Sequence, residues 1–217
     1  MKVGTDGILL GAWADVNGAS SILDIGAGTG LIAIMLAQRT ATAKIDAVEI
    51  DEEAFAQAAN NMANSPWSTR LHVFLSSIQE YAKQSRQQYD LIVSNPPFFS
   101  GGTFSDSQDK ASVRHTIKLP HGDLLNAVRS LLTDHGKFCA ILPNMEGLRF
   151  KEMASTYGLY CTKMTAVKPL VDRPVERLLL QFERHQTLPL INELVIQHAG
   201  ANSWTSDFVA LTGAFYL

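Results

Sequence analysis

The 217-residue chain reads as an α/β protein in which a mostly parallel sheet carries helices on both faces. Apolar strand-like runs alternate with amphipathic helix-like runs along most of the sequence, which is the pattern of such a layered sheet. A glycine-rich turn follows the first run, and an acidic residue ends the second. Open parallel sheets bind ligands beyond strand ends of this kind.

Strands are expected at Ser21–Ile25, Ile45–Glu49, Leu71–Leu75, Asp90–Ser94 and Lys137–Leu142. Helical periodicity fills the gaps at Leu31–Arg39, Glu52–Ala63, His121–Leu132 and Met145–Tyr157. Gly158 closes the last of these, because glycine accepts the left-handed backbone that ends a helix. Leu159–Val167 and Glu176–Arg184 read as two further strands around a Pro/Asp/Arg turn, which makes about seven. The stretch from Asn95 to Pro120 has no clear period, and segments of that length in compact domains are usually functional.

With 46% hydrophobic and 18% charged residues, positions 1–217 suffice for one core and are expected to form one domain. Cys139 and Cys161 stand apart, with no Cys-x-x-Cys or Cys/His cluster, so neither a metal site nor a disulfide framework is suggested. No apolar run approaches the roughly 20 residues that cross a bilayer, and residues 1–20 lack a signal peptide's charged start and apolar block. A soluble, cytoplasmic monomer is expected, with no membrane partner. The formal net charge of -3 argues against affinity for nucleic acid over the whole surface and leaves room only for a local basic patch.

The first chemical signal is Asp24-Ile25-Gly26-Ala27-Gly28-Thr29-Gly30, between a strand and a helix. Gly26, Gly28 and Gly30 let backbone pass close to a bound nucleoside. A dinucleotide fingerprint would place its third glycine where this chain has Leu31. Asp24 is a poor neighbour for a pyrophosphate and a good one for the ammonium and sulfonium charges of S-adenosyl-L-methionine. Glu49 closes the second strand at close to the ~20-residue spacing from which a carboxylate reaches ribose hydroxyls. A solvated strand-end glutamate is the plainer alternative. Ile50 joins this binding set, and after the third strand Ile78 is expected to pack on the donor's adenine while the Ser77 hydroxyl meets its edge. A loop serine is otherwise just a turn residue.

The third signal is Asn95-Pro96-Pro97-Phe98, after the fourth strand. Consecutive prolines hold the Pro96 carbonyl in a rigid frame. The Asn95 amide oxygen is a second acceptor, and Phe98 offers a flat apolar face. An amine conjugated to a ring is a poor nucleophile because its lone pair is delocalised. Two acceptors that hold both its hydrogens let the nitrogen pyramidalise, and they grip harder as it gains positive charge, which is the differential stabilisation catalysis needs.

Asn95–Phe98 together with Asp24–Gly30 resembles the amino methyltransferases. Longer stretches extend the likeness: Met1-Lys2-Val3-Gly4-Thr5-Asp6-Gly7-Ile8-Leu9-Leu10-Gly11-Ala12-Trp13, Met35–Thr40, Ser65-Pro66-Trp67 and Ala210–Leu217 are similar to the bacterial family of tRNA1(Val) adenine-N6 methyltransferases. This resemblance covers nearly the whole chain. It implies a Rossmann-like class I S-adenosylmethionine-dependent methyltransferase fold, seven strands with the last antiparallel, and transfer of a methyl group to N6 of the adenine 3′ of the anticodon in a valine tRNA. It also implies that Thr5, Asp6 and Gly7 line the methionine end of the donor. The family carries an aspartate where this chain has Ser77, so the contact to the donor's adenine amine is expected to be weaker or made differently. Members begin with a further aromatic and basic segment ahead of Met1, so that leader, and the part of the RNA grip it supplies, are expected to be absent.

For the tRNA itself, Phe99, Arg114, His115 and Lys118 follow the motif and have the chemistry to stack an extruded base and hold phosphates. A lone loop histidine such as His115 is more often merely solvated. Lys168, Arg173 and Arg177 extend a basic edge around the turn before the seventh strand, which a solvated turn explains nearly as well. The same Asn-Pro-Pro-Phe chemistry serves a guanine amine of ribosomal RNA or a protein glutamine amide. A noncatalytic donor- or RNA-binding module is the alternative of another class.

Overall fold

The computed structural model describes residues 4–97, 119–199 and 203–215. The chain begins with α1 (Thr5–Trp13), then β1 (Ser21–Ile25), α2 (Leu31–Arg39), β2 (Lys44–Glu49), α3 (Glu52–Ala63), β3 (Leu71–Leu75), α4 (Ile78–Gln84) and β4 (Tyr89–Ser94). It continues with α5 (His121–Leu131), β5 (Leu132–Pro143), α6 (Asn144–Thr156), β6 (Tyr160–Leu170), β7 (Arg177–Glu183), β8 (Leu190–Gln197) and α7 (Ser206–Thr212). One sheet contains all eight strands in the order β3-β2-β1-β4-β5-β7-β6-β8. β1 to β5 are parallel, β7 runs antiparallel to both β5 and β6, and β8 lies parallel to β6.

The strand order reverses beside β1, whose neighbours are β2 on one side and β4 on the other, and this is where open sheets leave a crevice at their carboxyl ends. The period-two alternation of β1 divides its residues between two apolar layers. Ile22 packs with α1, α2 and α7 residues such as Leu10, Leu36 and Phe208. Leu23 and Ile25 pack on the opposite face with Leu125 and Val128 of α5 and Phe150 of α6.

The seventh strand is antiparallel, and an eighth, β8, adds to the seven expected. Its first four residues are exposed and show no inward alternation, so the period-two signal of a half-buried strand is missing. α1 also lacked a signal, because its residues from Gly7 to Trp13 are buried all round and present no polar stripe. Its C-terminal end is fixed at a distance: Trp13 Nε1 donates to Thr165 Oγ1 on β6 at 2.9 Å, and Lys163 Nζ stands 4.5 Å from the Trp13 ring centroid. Arg39 Nη1 donates to the Gly11 and Ala14 carbonyls at 2.7 Å each, satisfying acceptors at the end of α1. Among the described residues no helix is long and apolar enough to cross a membrane.

Candidate active site

Ile25, the last residue of β1, is the register partner of Ser94, the last residue of β4. The glycine turn after Ile25 and the Asn95-Pro96-Pro97 turn after Ser94 therefore leave the sheet side by side. Both open on one cavity of about 870 Å³, a volume within the range of sites that enclose a nucleoside-sized ligand.

The glycine turn forms one wall. Gly26 and Gly28 hold φ values of 72° and 56°, conformations that cost other residues strain, and a Cβ built on Gly26 meets nothing within 4 Å. The Gly26 and Ala27 amides donate to the Val48 carbonyl at 2.9 and 3.2 Å, which ties the turn to β2. Glu49 clamps the turn from the side: its Oε2 accepts from the Gly28 amide at 2.7 Å, and its Oε1 accepts from the Ile50 and Asp51 amides at 2.8 and 2.9 Å. Although 8% exposed, this carboxylate reaches the cavity.

Ile50, Ser76, Ser77 and Ile78 continue the wall past β2 and β3. Ser77 caps α4, its Oγ accepting from the Glu80 amide at 3.2 Å and donating to Glu80 Oε2 at 3.0 Å. On the other side stand Asn95, Pro96, Pro97 and Leu119. Gly4, Thr5, Asp6 and Gly7 close the rim at the first turn of α1, and Val167 and Pro169 of β6, Glu176 just before β7, Arg177 of β7 and Ile196 of β8 complete it. Asp6 Oδ2 accepts from Arg177 Nε at 2.9 Å, so the rim is pinned where α1 meets β7.

Residues 6–140 match the family model of the methyltransferase small domain. The chain belongs to that family. Over 222 residues it is 42% identical to the tRNA1(Val) (adenine(37)-N6)-methyltransferase of Proteus mirabilis, covering 100% of this chain and 88% of that one. It is 45% identical over 219 residues to the protein of the same name from Trichodesmium erythraeum, again across 100% of this chain and 91% of that one. In fold it is similar to the crystal structure of a predicted O-methyltransferase from Agrobacterium tumefaciens, at a TM-score of 0.74 with 16% identity and 96% of each chain covered.

The methyl donor of this methyltransferase is S-adenosyl-L-methionine, and the cavity fits it. The side-chain-free surface at Gly26 leaves room for a flat nucleoside, Glu49 offers a carboxylate to hydroxyls, and Ile50 and Ile78 supply apolar faces.

Two residues of the expected binding set lie beneath this wall rather than on it. Asp24 is fully buried; its Oδ2 accepts from the Ala33 amide at 3.2 Å, and its Oδ1 has no hydrogen-bond partner. Strand alternation is the reason, since Asp24 shares the α2 side of β1 with Ile22. Burial pushes its carboxyl up to about 7, the Ala33 amide lowers it, and the Glu49 charge raises it further. Gly30 forms the N-terminal cap of α2 at φ 80°, with Met62 Cε 3.0 Å and Ala58 Cβ 3.4 Å from the site of a Cβ, so it serves the approach of α2 to α3.

Phe98, Phe99, Arg114, His115 and Lys118 lie outside the described residues. Of the supposed basic edge, Lys168 pairs with Glu193 at 2.8 Å, and Arg177 belongs to the cavity rim instead. No sequence signal links Arg177 to Asp6, because only the antiparallel course of β7 brings its first residue to the end of the sheet where the parallel strands finish. Among the described residues no group of three or more His, Cys, Asp or Glu side chains could hold a metal ion.

Proposed function

We propose that this chain transfers a methyl group from S-adenosyl-L-methionine to N6 of the adenine 3′ of the anticodon in tRNA1(Val). The observation that carries the reading is the Ile25–Ser94 register, which sets the glycine turn and Asn95-Pro96-Pro97 on the same cavity. Identity of 42–45% to relatives named for this reaction supports the choice of substrate.

When bound, S-adenosyl-L-methionine supplies an electrophilic methyl group on a sulfonium. Gly26, Gly28 and Glu49 hold the nucleoside end of the donor. The Asn95 side-chain oxygen and the Pro96 carbonyl accept the two hydrogens of the target amine and turn its lone pair toward the methyl group. Both acceptors are preorganised, one by the end of β4 and one by the proline ring that follows, so little reorganisation is needed as charge develops on nitrogen. Shared alignment in one cavity removes the entropy of encounter. Phe98 supplies the stacking face, and Phe99, Arg114, His115 and Lys118 hold the flanking RNA. A tRNA substrate implies a cytoplasmic enzyme, and one cavity assembled within one chain is the support for a monomer.

Incubation of the protein with methyl-labelled donor and separate pools of tRNA, ribosomal RNA and release-factor protein tests this. Label in tRNA alone, mapped by mass spectrometry to the adenine after the anticodon, is the expected result. Label in protein alone, or in ribosomal RNA alone, would reject the substrate; donor binding with no label in any pool would reject catalysis.

A further inference from the structure

S-adenosyl-L-methionine carries two positive groups, its sulfonium and its α-ammonium, and one negative group, its α-carboxylate. The described cavity wall holds four acidic residues, Asp6, Glu49, Asp51 and Glu176, and among those described residues a single cationic one, Arg177. A carboxylate entering such a cavity is repelled by each acid, and among the described side chains of the wall only Arg177 carries a charge that attracts it. Backbone amides often take the part of a cation, yet those of the glycine turn are already engaged: Gly26 and Ala27 donate to Val48, Gly28 to Glu49 and Gly30 to Ala27.

Arg177 is firmly held. Its backbone is in register with Pro143 on β5 and with Val167 on β6, so two neighbouring strands fix where its side chain begins. Its Nε donates to Asp6 at 2.9 Å, and its Nη1 donates to the Glu176 carbonyl at 3.1 Å. The pair is partly shielded from water, with side-chain exposures of 28% for Arg177 and 22% for Asp6, which strengthens its field. The rim thus presents a positive and a negative group one hydrogen bond apart. The amino-acid end of the donor carries the same two charges at a similar spacing, and laid against the rim in opposite order the four alternate.

We propose that Arg177 binds the α-carboxylate of S-adenosyl-L-methionine while Asp6 takes its α-ammonium. The assignment rests on the donor reading above and adds to it a residue distant in sequence from every glycine-turn contact. Arginine suits the role because its planar fork matches a carboxylate.

Calorimetry on the full chain tests it with two nucleosides. S-adenosylhomocysteine keeps the amino-acid end; 5′-methylthioadenosine lacks it. Arg177→Gln is expected to weaken S-adenosylhomocysteine about tenfold or more while changing 5′-methylthioadenosine by less than about twofold, the pattern of one lost charge-assisted contact. Arg177→Lys, which keeps the cation, is expected to fall between variant and parent. Unchanged affinity of Arg177→Gln for S-adenosylhomocysteine would overturn the proposal, and so would equal losses for both nucleosides, which would mark a residue that only props the rim. A parent protein that binds neither nucleoside would overturn the donor reading itself, and this proposal with it.

Discussion

Ser94 Oγ donates to the Ile25 carbonyl at 2.9 Å, within the sheet and shielded from solvent. Each residue leads into one of the two turns that line the cavity, so a single buried hydrogen bond joins those turns at their roots. Ser94→Ala removes the donor. A loss of about 1–2 kcal/mol in stability is expected, seen as a lower urea midpoint, with a slower single-turnover rate. An unchanged midpoint would show that the β1–β4 ladder sets the spacing by itself.

Asn95→Ala is expected to leave donor affinity nearly unchanged and to lower turnover by at least about a hundredfold, the scale of one preorganised transition-state contact. Calorimetry beside single-turnover kinetics separates the two effects. Equal rates in variant and parent would remove Asn95 from the chemistry.

Glu49→Gln keeps the shape of the side chain but replaces one acceptor oxygen by a donor, although both oxygens now accept from backbone amides. The new NH2 faces an N–H group, and the turn loosens. Donor affinity is expected to fall about tenfold and stability by about 1–3 kcal/mol. If affinity survives while the thermal midpoint drops, Glu49 shapes the turn and does not touch the donor.

Asp24 gives a pH dependence of defined sign. Its carboxyl is raised from the ordinary 3.8 to about 7 by burial, so between those values the folded chain keeps a proton that the unfolded chain has released. The contribution is complete below about pH 4 and is lost as pH rises through about 7. Asp24→Asn retains an acceptor for the Ala33 amide and removes that part of the slope. Urea denaturation in steps from about pH 4 to pH 8 checks it; an identical slope in the variant would assign the effect to other groups.

Most of the parallel half of the sheet was legible because each of its elements repeats its own period. Ser21–Ile25, Leu31–Arg39, Glu52–Ala63 and Leu71–Leu75 fall where alternation and helical spacing put them. β5 begins at Leu132 rather than Lys137, since Leu132 is already paired with Tyr89. α4 and α7 are two turns long and too short to show a stripe. At the site, the turns that start at Gly26 and Asn95 were readable because local motifs carry them. Asp24 lies beneath the wall on the α2 side of β1, which its sequence neighbourhood does not announce, because proximity to a glycine does not tell which face of a strand a side chain takes. The rim formed by Arg177, Glu176, Val167 and Ile196 arises wholly from long-range pairing, to which local patterns are blind.

The reversed course of β7 gives the opening two unlike banks. Because that strand starts at the level where β1, β2 and β4 stop, the bend between β6 and β7 reaches the same opening as the chemical groups through Glu176. Bends of this sort accept insertions and exchanges that a strand end in register does not. One bank of the crevice is thereby set by strand register and the other by a connecting bend, the kind of segment in which a change of length or side chain disturbs the sheet least.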